Sequence, residues 1–577
     1  MNDMKNFKIL ILGLLVLQSS CSDFLDKKPL VQTSVQTYYS TDEEVNSALM
    51  GIYSRLQREN FQLGPMLIIG DDCSDDADIG NENSEAFSWL GPVSQSLQKF
   101  DHLSTNWLSS ALWGEAFTGI SWTNQAIESI LANRNLLSEK SDLYLGEAYF
   151  LRAFFYFFLT RQYGRMPIVD HVLSYNEFYS PRASIEETWD FIVRDLKKAI
   201  ELLPKKSEYS ATDLGRATQG AAYAMLGKAY IYQGKFQEAY DALMKVVESG
   251  EYSLEPVYAD IFTLEHENGI ESVFEIQHMT SNTGWSDDNE GSILSFYEHD
   301  ADPDDPIKWH NGWSMHCLTE DLVNSYEKGD PRLNATVIFP GEFFDGHINY
   351  NKASSTGYQP KKWYIPYDQR SQSDQSDCPK NIIFYRYADV LLYLAEAANE
   401  IGKTAEALGF LEQVRHRARS NATDVNVLPI VTETDKNRLR DLIWHERRVE
   451  LAGEGQRFWD LARQGRLGKV MKAYSRKYNS IKGQNFIEGK NELLPIPDDQ
   501  IIVSNQFIFQ PCAFISNVFV HHQILHPHSP NFRGFALATL ISISSTASVY
   551  RPAAISLLRS RFSASMISRH SCRFTST

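Results

Sequence analysis

Cysteine is sparse in this chain, with six in 577 residues, and those six do not form a set. Cys21 ends an N-terminal apolar run, and Cys512 and Cys572 lie in a compositionally separate tail. Cys73, Cys317 and Cys378 remain, far apart and odd in number, so no disulfide framework is implied. Long apolar runs are missing too. Ile9 to Leu17 is broken only by Gly13, and it falls short of the roughly 20 residues a spanning helix needs. Positive charge is in deficit, with 55 Lys and Arg against 73 Asp and Glu and a formal charge of −18. Phosphate affinity comes from Lys and Arg, so a nucleic-acid partner is excluded. Catalytic signatures are also absent. His445-Glu446 opens like a zinc-protease motif, but Val449 stands where its second His is required. Neither a serine elbow nor a Gly-rich phosphate loop occurs, and no cofactor or metal is expected.

What is present begins at the N-terminus. Lys5 and Lys8 precede the apolar run, and Gln18-Ser19-Ser20-Cys21 follows it, the parts of a secretory signal. The small pair before Cys21 resembles a bacterial lipobox, although Gln18 departs from its usual apolar residue. Residues 1–20 then read as a signal peptide. Cys21 reads as the lipidation site, and 21–40 as an acidic tether that anchors the protein to a membrane without spanning it. The alternative is an ordinary cleaved signal with an incidental Cys.

Helical patterns dominate from Thr41. Thr41-Asp42-Glu43-Glu44 is a capping box, and Val45, Leu49, Ile52 and Leu56 follow at helical spacing. Trp113, Ile120 and Ile127 share one helix face. Further helices are predicted over 143–163, 185–203, 219–233, 236–249, 383–401, 404–419 and 436–452. Two of the pairs repeat. Leu226-Gly227, Tyr230, Gly234 and Ala239 form the small-residue skeleton of a tetratricopeptide unit. Leu394-Ala395, Ala398, Gly402 and Ala407 repeat its spacing 168 residues later. The predicted fold class is therefore all-α dominated, a tetratricopeptide-like helical-repeat scaffold, with a generic helical hairpin as the alternative.

Two stretches break the pattern. Inserts near 70–97 and 251–380 are long, polar and irregular, yet contain Trp, and they read as ordered loops facing a ligand. A pyranose presents apolar C–H faces and a rim of hydroxyls, so it stacks on Trp or Tyr while carboxylates and amides bond the rim. The candidate glycan-binding residues are Asp72, Asp75, Trp89, Trp285, Tyr297, Trp309 and Trp313. Trp107 and Trp113, at helical spacing, read more as core. The carboxylates Asp71, Asp72, Asp75, Asp76 and Asp78 are also weighed as a hydrolytic pair or a calcium site, and Asp300 to Asp305 as a weaker oxygen-ligand cluster.

Longer motifs then carry a resemblance. Gly146-Glu147-Ala148 through Phe150-Leu151-Arg152-Ala153-Phe154-Phe155-Tyr156-Phe157 runs on to Tyr163-Gly164-Arg165-Met166-Pro167. Arg386-Tyr387-Ala388-Asp389-Val390-Leu391-Leu392 runs on to Asn399-Glu400. Glu446-Arg447-Arg448 and Glu450-Leu451 precede Glu454-Gly455, Arg457-Phe458-Trp459-Asp460-Leu461 and Leu494-Pro495-Ile496-Pro497. In this order they resemble the SusD/RagB family of surface glycan-binding lipoproteins. Read as residues, Phe150, Phe154, Phe157 and Phe158 form a packed aromatic face. Arg152, Arg386, Glu446 and Arg447 read as buried or capping ion pairs, and Arg457 and Asp460 as partners locking the last helix pair. The resemblance implies a surface-exposed, lipid-anchored outer-membrane protein, not an enzyme. Such a protein binds a polysaccharide or oligosaccharide and delivers it to a TonB-dependent transporter of the SusC type. A helical-repeat scaffold that binds only protein is the alternative.

The family-like domain is expected over 41–510. From Pro511 to Thr577 there is no Asp, Glu or Lys, but six Arg and 13 Ser, so the chain before it carries −24. This tail reads as a frameshift product or fusion, the alternative being a genuine basic extension.

Overall fold

A computed structural model of the protein describes residues 39–80, 87–174, 177, 180–281, 290–298, 312–345, 347–348, 354–370 and 377–504. The expected signal peptide, Cys21, most of the tether and the tail 511–577 lie outside the described residues.

Helix α1 (Asp42–Tyr53) starts at the expected capping box: Thr41 accepts from the Glu44 amide, and the Glu44 carboxylate accepts from the Thr41 amide. Helices α2 (Phe87–Lys99), α3 (Trp107–Ala132), α4 (Ser141–Tyr163) and α5 (Ile185–Leu202) follow. Next come α6 (Gln219–Tyr232), α7 (Phe236–Glu248), α8 (Tyr387–Glu400) and α9 (Thr404–Ser420), then α10 (Lys436–Glu450), α11 (Arg457–Arg463) and α12 (Leu467–Tyr478). From α3 to α7 each helix packs on the next, α7 packs on α8, and α8 also meets α9 and α10. Helix α4 is buried all round from Tyr144 to Tyr163, as its almost unbroken apolar sequence requires. Its Phe154 ring lies 6.2 Å from Phe158 and 4.5 Å from Phe384, so the expected aromatic face is present.

The two tetratricopeptide-like units end their first helices alike. Gly234 (φ +67°) donates to Ile231 O while Lys235 donates to Tyr230 O. Gly402 (φ +82°) donates to Asn399 O while Lys403 donates to Ala398 O. This paired 5→2 and 6→1 arrangement needs a left-handed residue, which glycine supplies without a Cβ clash. It turns the chain back into α7 and α9.

Strands are short and antiparallel: β1 (Ala77–Ile79) pairs with β3 (His316–Leu318), and β2 (Ser272–Ile276) with β8 (Ile382–Arg386). Between them, β4 (Val337–Ile338) pairs with β7 (Gln359–Pro360), and β5 (Phe343–Phe344) with β6 (His347–Ile348). Strand β8 corrects one expectation. The helix predicted from Ile383 starts only at Tyr387, because the β-branched and aromatic run before it suits a fully buried strand better. A second correction concerns 70–97. Leu63–Asp72 is a buried π-helical segment and α2 fills the end of the stretch, so little of it is surface loop.

Buried ion pairs tie these parts together. Glu450, at the end of α10, receives Arg386 Nη1 at 2.7 Å, Arg332 Nη1 at 2.9 Å and Arg417 Nη2. Arg386 also bonds Glu271 and Glu454, and Arg332 bonds Asp330 and Glu446. Burial would raise the Glu450 pKa, but these guanidiniums outweigh it and hold the carboxyl below its ordinary range. Arg152 pairs with Asp195, and Arg447 with Asp389 and Asp460. The roles expected for Arg152, Arg386, Glu446 and Arg447 are therefore present. Asp460 and Arg457 are not each other's partners, however: Asp460 serves Arg447 and Arg463, and Arg457 reaches Asp75. Cys73, Cys317 and Cys378 are buried and form no disulfide among the described residues.

Burial would raise Asp460 too, yet Arg447 and Arg463 hold it at about 2. Its contribution is present above its unfolded pKa near 3.9 and is lost as pH falls toward 2. Replacing it (Asp460→Asn) is expected to cost on the order of 3 kcal/mol at neutral pH. In urea unfolding, that gap from wild type should close progressively between about pH 4 and pH 2.

Candidate functional site

The roots of the polar segments converge on β1 and β3. Ala77 lies opposite Leu318 and Ile79 opposite His316, and the Gly80 amide donates to Met315 O at 3.2 Å. Ser355 Oγ donates to Ile79 O, and Leu318 N to Tyr358 O at 3.1 Å, which brings residues 355–358 to the same edge. On the other side of the short helix Leu294–Glu298, Ser292 bridges Cys378. The Ser281 amide and hydroxyl both donate to the Asp377 carboxylate, at 2.9 to 3.1 Å. Ser281 and Asp377 are thus held in one clamp. Residues far apart in sequence are brought to one face by a few backbone bonds.

Between these roots lies an aromatic group. Trp313 is half-buried, with its ring 4.9 Å from Phe296 and 4.8 Å from Tyr297. Tyr297 is 1% exposed, and its hydroxyl donates to Glu59 Oε1 at 3.2 Å. It therefore supports Trp313 from beneath instead of presenting its own ring, which corrects its expected role as a contact residue. Phe296, also half-buried, was not anticipated; its place directly before Tyr297 was the available signal. Trp89 lies on α2, its side chain outside the described residues, as are Trp285, Trp309 and the whole cluster Asp300 to Asp305. Trp113 is core, wedged between Phe117 and Tyr163, whereas Trp107 is 39% exposed at the start of α3. A cleft of about 560 Å³ is bordered by Gln57, Arg216, Gln277, Met279 and Glu290.

The acidic residues of the first segment are turned inward. Asp75 is 3% exposed and receives Arg457 Nε at 2.8 Å and Nη2 at 3.0 Å, with Arg448 Nη2 also at 3.0 Å. Burial alone would raise its pKa, but the two guanidiniums depress it. Asp72, 2% exposed, accepts from His316 Nδ1 at 2.6 Å. Burial opposes the imidazolium, yet Asp72 prevails and pushes His316 up to about 9. Asp76 bonds Arg448, Asp78 bonds Lys482 and Tyr474, and Asp71 accepts the Gly455 amide at 2.9 Å. Asp72 and Asp75 were expected at a sugar's rim. Here they pin β1 to β3 and to the C-terminal helices, because an acid this deep requires a cation. The group with metal-like spacing among the described residues lies elsewhere, at Glu255, Asp260 and His266.

A family profile described as the SusD family matches residues 270–508, and one described as starch-binding associating with outer membrane matches 23–231. The chain belongs to the SusD/RagB family. A SusD-like protein of Formosa agariphila is 27% identical over 525 residues, 86% of this chain and 98% of that one. Another, from Bacteroides ovatus, is 26% identical over 79% of this chain and 82% of its own. A solved laminarin binding SusD-like protein superposes with a TM-score of 0.70 at 26% identity, over 82% of this chain and 99% of its own. A SusD homolog from Bacteroides thetaiotaomicron shares the fold, with a TM-score of 0.71 at 22% identity over 83% and 98%. The SusD/RagB motifs quoted from the sequence map mainly onto α4, α8, α10 and α11, the helices of the buried ion-pair network.

Replacing Asp75 by Ala strands the buried Arg457 guanidinium and removes one of the three acids on Arg448. The expected cost is about 3–5 kcal/mol in urea unfolding, whereas a surface acid that only met sugar hydroxyls would leave stability within about 0.5 kcal/mol.

Proposed function

We propose that this protein captures a polysaccharide or oligosaccharide at the cell surface and passes it to a TonB-dependent transporter of the SusC type, without chemical turnover. The observation that carries the reading is Trp313, half-buried and packed on Phe296 and Tyr297 between the described ends of the polar segments. A flat apolar ring on a rigid support is what a sugar face stacks on, and the surrounding segments supply hydroxyl partners. Trp89, Trp285 and Trp309 are proposed as its neighbours on that platform. Membership in the SusD/RagB family supports the reading, as does the kinship with a laminarin binding protein. Cys21 is proposed as the acylated anchor in the outer membrane, with 1–20 removed and 41–510 forming the working domain. The tail after Gln510 takes no part.

The full chain, purified in detergent, should be retarded in native gels containing a bound polysaccharide, with laminarin and starch as first members of the panel. Changing Trp313 to Ala should weaken that retention by at least about tenfold, as loss of one stacked ring predicts, while the unfolding midpoint stays within about 1 kcal/mol of wild type. Release of reducing sugar would point to an enzyme instead. Failure to bind any glycan, with capture of the transporter retained, would favour a protein-binding scaffold.

In cells, Cys21→Ala should move the protein out of the membrane fraction and abolish its labelling by a fatty-acid analogue. Unchanged labelling would place the anchor elsewhere.

A further inference from the structure

Helix α4 carries two buried guanidiniums nine residues apart, and the fold treats them in opposite ways. Arg152 uses its donors on Asp195 at 2.7 and 3.0 Å, on Asn124 Oδ1 at 2.8 Å and on Asp170 O at 2.9 Å. Arg161 is 5% exposed, and its Nε and Nη1 are fully enclosed with nothing to donate to. No carboxylate among the described residues forms an ion pair with it. Its guanidinium lies 4.3 Å from the Trp459 ring and 4.9 Å from Phe158, so its faces are covered by aromatic rings. The in-plane N–H groups are left over, since a π contact satisfies charge but not hydrogen bonding. By contrast Arg332, Arg386, Arg417, Arg447 and Arg457 each hold a carboxylate.

Arg161 lines a cleft of about 320 Å³, whose walls include Arg165, Trp189, Tyr232, Trp459 and Leu493. The buried Tyr232 hydroxyl faces the Arg161 guanidinium. Arg463, on another wall, is neutralised by Glu396 and Asp460. Arg165 donates to the carbonyl oxygens of Ala183 and Arg182, which leaves its charge uncompensated by them. One acid, Glu492, lies on the rim and accepts the Gly489 amide. The cleft is therefore electropositive in a chain whose overall charge is strongly negative.

We propose that this cleft binds a carboxylate-bearing ring, the chemistry of a uronic acid, with Arg161, backed by the buried Trp459, holding the carboxylate and Trp189 and Tyr232 flanking the ring. A planar guanidinium matches a planar carboxylate edge to edge. The aromatic walls suit a ring with apolar faces, and the volume suits one sugar residue with its linkages. The site shares no residue with the Trp313 platform and stands whether or not that platform binds glycan.

The test titrates the full chain in detergent with glucuronate, glucose and inorganic sulfate. Binding is read by indole fluorescence, since Trp459 lies over the guanidinium, and by saturation-transfer NMR. Glucuronate is expected to bind with a Kd on the order of 1 mM, with no response to glucose. R161Q should weaken it by at least about tenfold, and Trp313→Ala should leave it unchanged. Leu493→Trp, which fills the exposed mouth without touching the guanidinium, should block binding too, and it decides the matter if R161Q does not fold. Equal binding of glucose, equal binding of sulfate, no response to glucuronate, or full affinity in both variants would each overturn the proposal.

Discussion

Burial of guanidinium against carboxylate is the constraint on which the rest of this structure depends. Glu450 alone accepts from three arginines that come from the edge of β8, from α9 and from the turn before β4. Each of those arginines reaches a further acid, so the charges are shared across segments and not confined to pairs. A buried ion pair of this kind contributes little net stability against a hydrophobic replacement, but losing one member is costly. The arrangement therefore dictates where segments sit more than how tightly they are held. Apolar packing of α4 with the helices around it forms the interior, and the ion pairs tie irregular segments to it.

That division of labour explains how the site is built. A helical stack is repetitive, and by itself presents nothing that distinguishes one face from another. Asp75 with Arg457 and Arg448, Asp72 with His316, and Asp71 with the Gly455 amide fasten the start of the first polar segment to the C-terminal helices. The β1–β3 pair and the Ser281–Asp377 clamp bring the other roots alongside. Trp313 then rests on Phe296 and Tyr297 with its position determined from below. The carboxylates that hold these roots are buried.

The helical framework was legible in the sequence because its signals are local. The capping box at Thr41, the Gly234 and Gly402 turns and the apolar continuity of α4 depend on neighbours within a few residues. What was not legible depends on partners hundreds of residues away. The run of Asp71, Asp72, Asp75, Asp76 and Asp78 has the composition of a surface loop, and nothing nearby announces Arg448, Arg457 or His316 as partners. Strand β8 was taken into the following helix for the same reason, since Ile382 to Tyr385 suits either state until β2 is known to lie beside it. Tyr297 and Trp313 were both found as aromatics of one segment. Which of them is the support and which the exposed face follows from Glu59, on a part of the chain 238 residues earlier.

The contact between the first polar segment and α11 also bears on the order in which the molecule can be completed. Asp75 and Arg457 are 382 residues apart, and the Asp71 carboxylate meets the Gly455 amide across 384. A chain emerging from its N-terminus presents these acids early; Asp72 gains His316 when β3 arrives, whereas Asp75 and Asp76 wait for Arg448 and Arg457, and Asp78 for Lys482. Closing so long a loop is slow relative to forming the helical hairpins between. The binding face is thus the last part of the domain to mature. A chain cut short before Arg457 retains most of its helices but lacks a foundation beneath its loops.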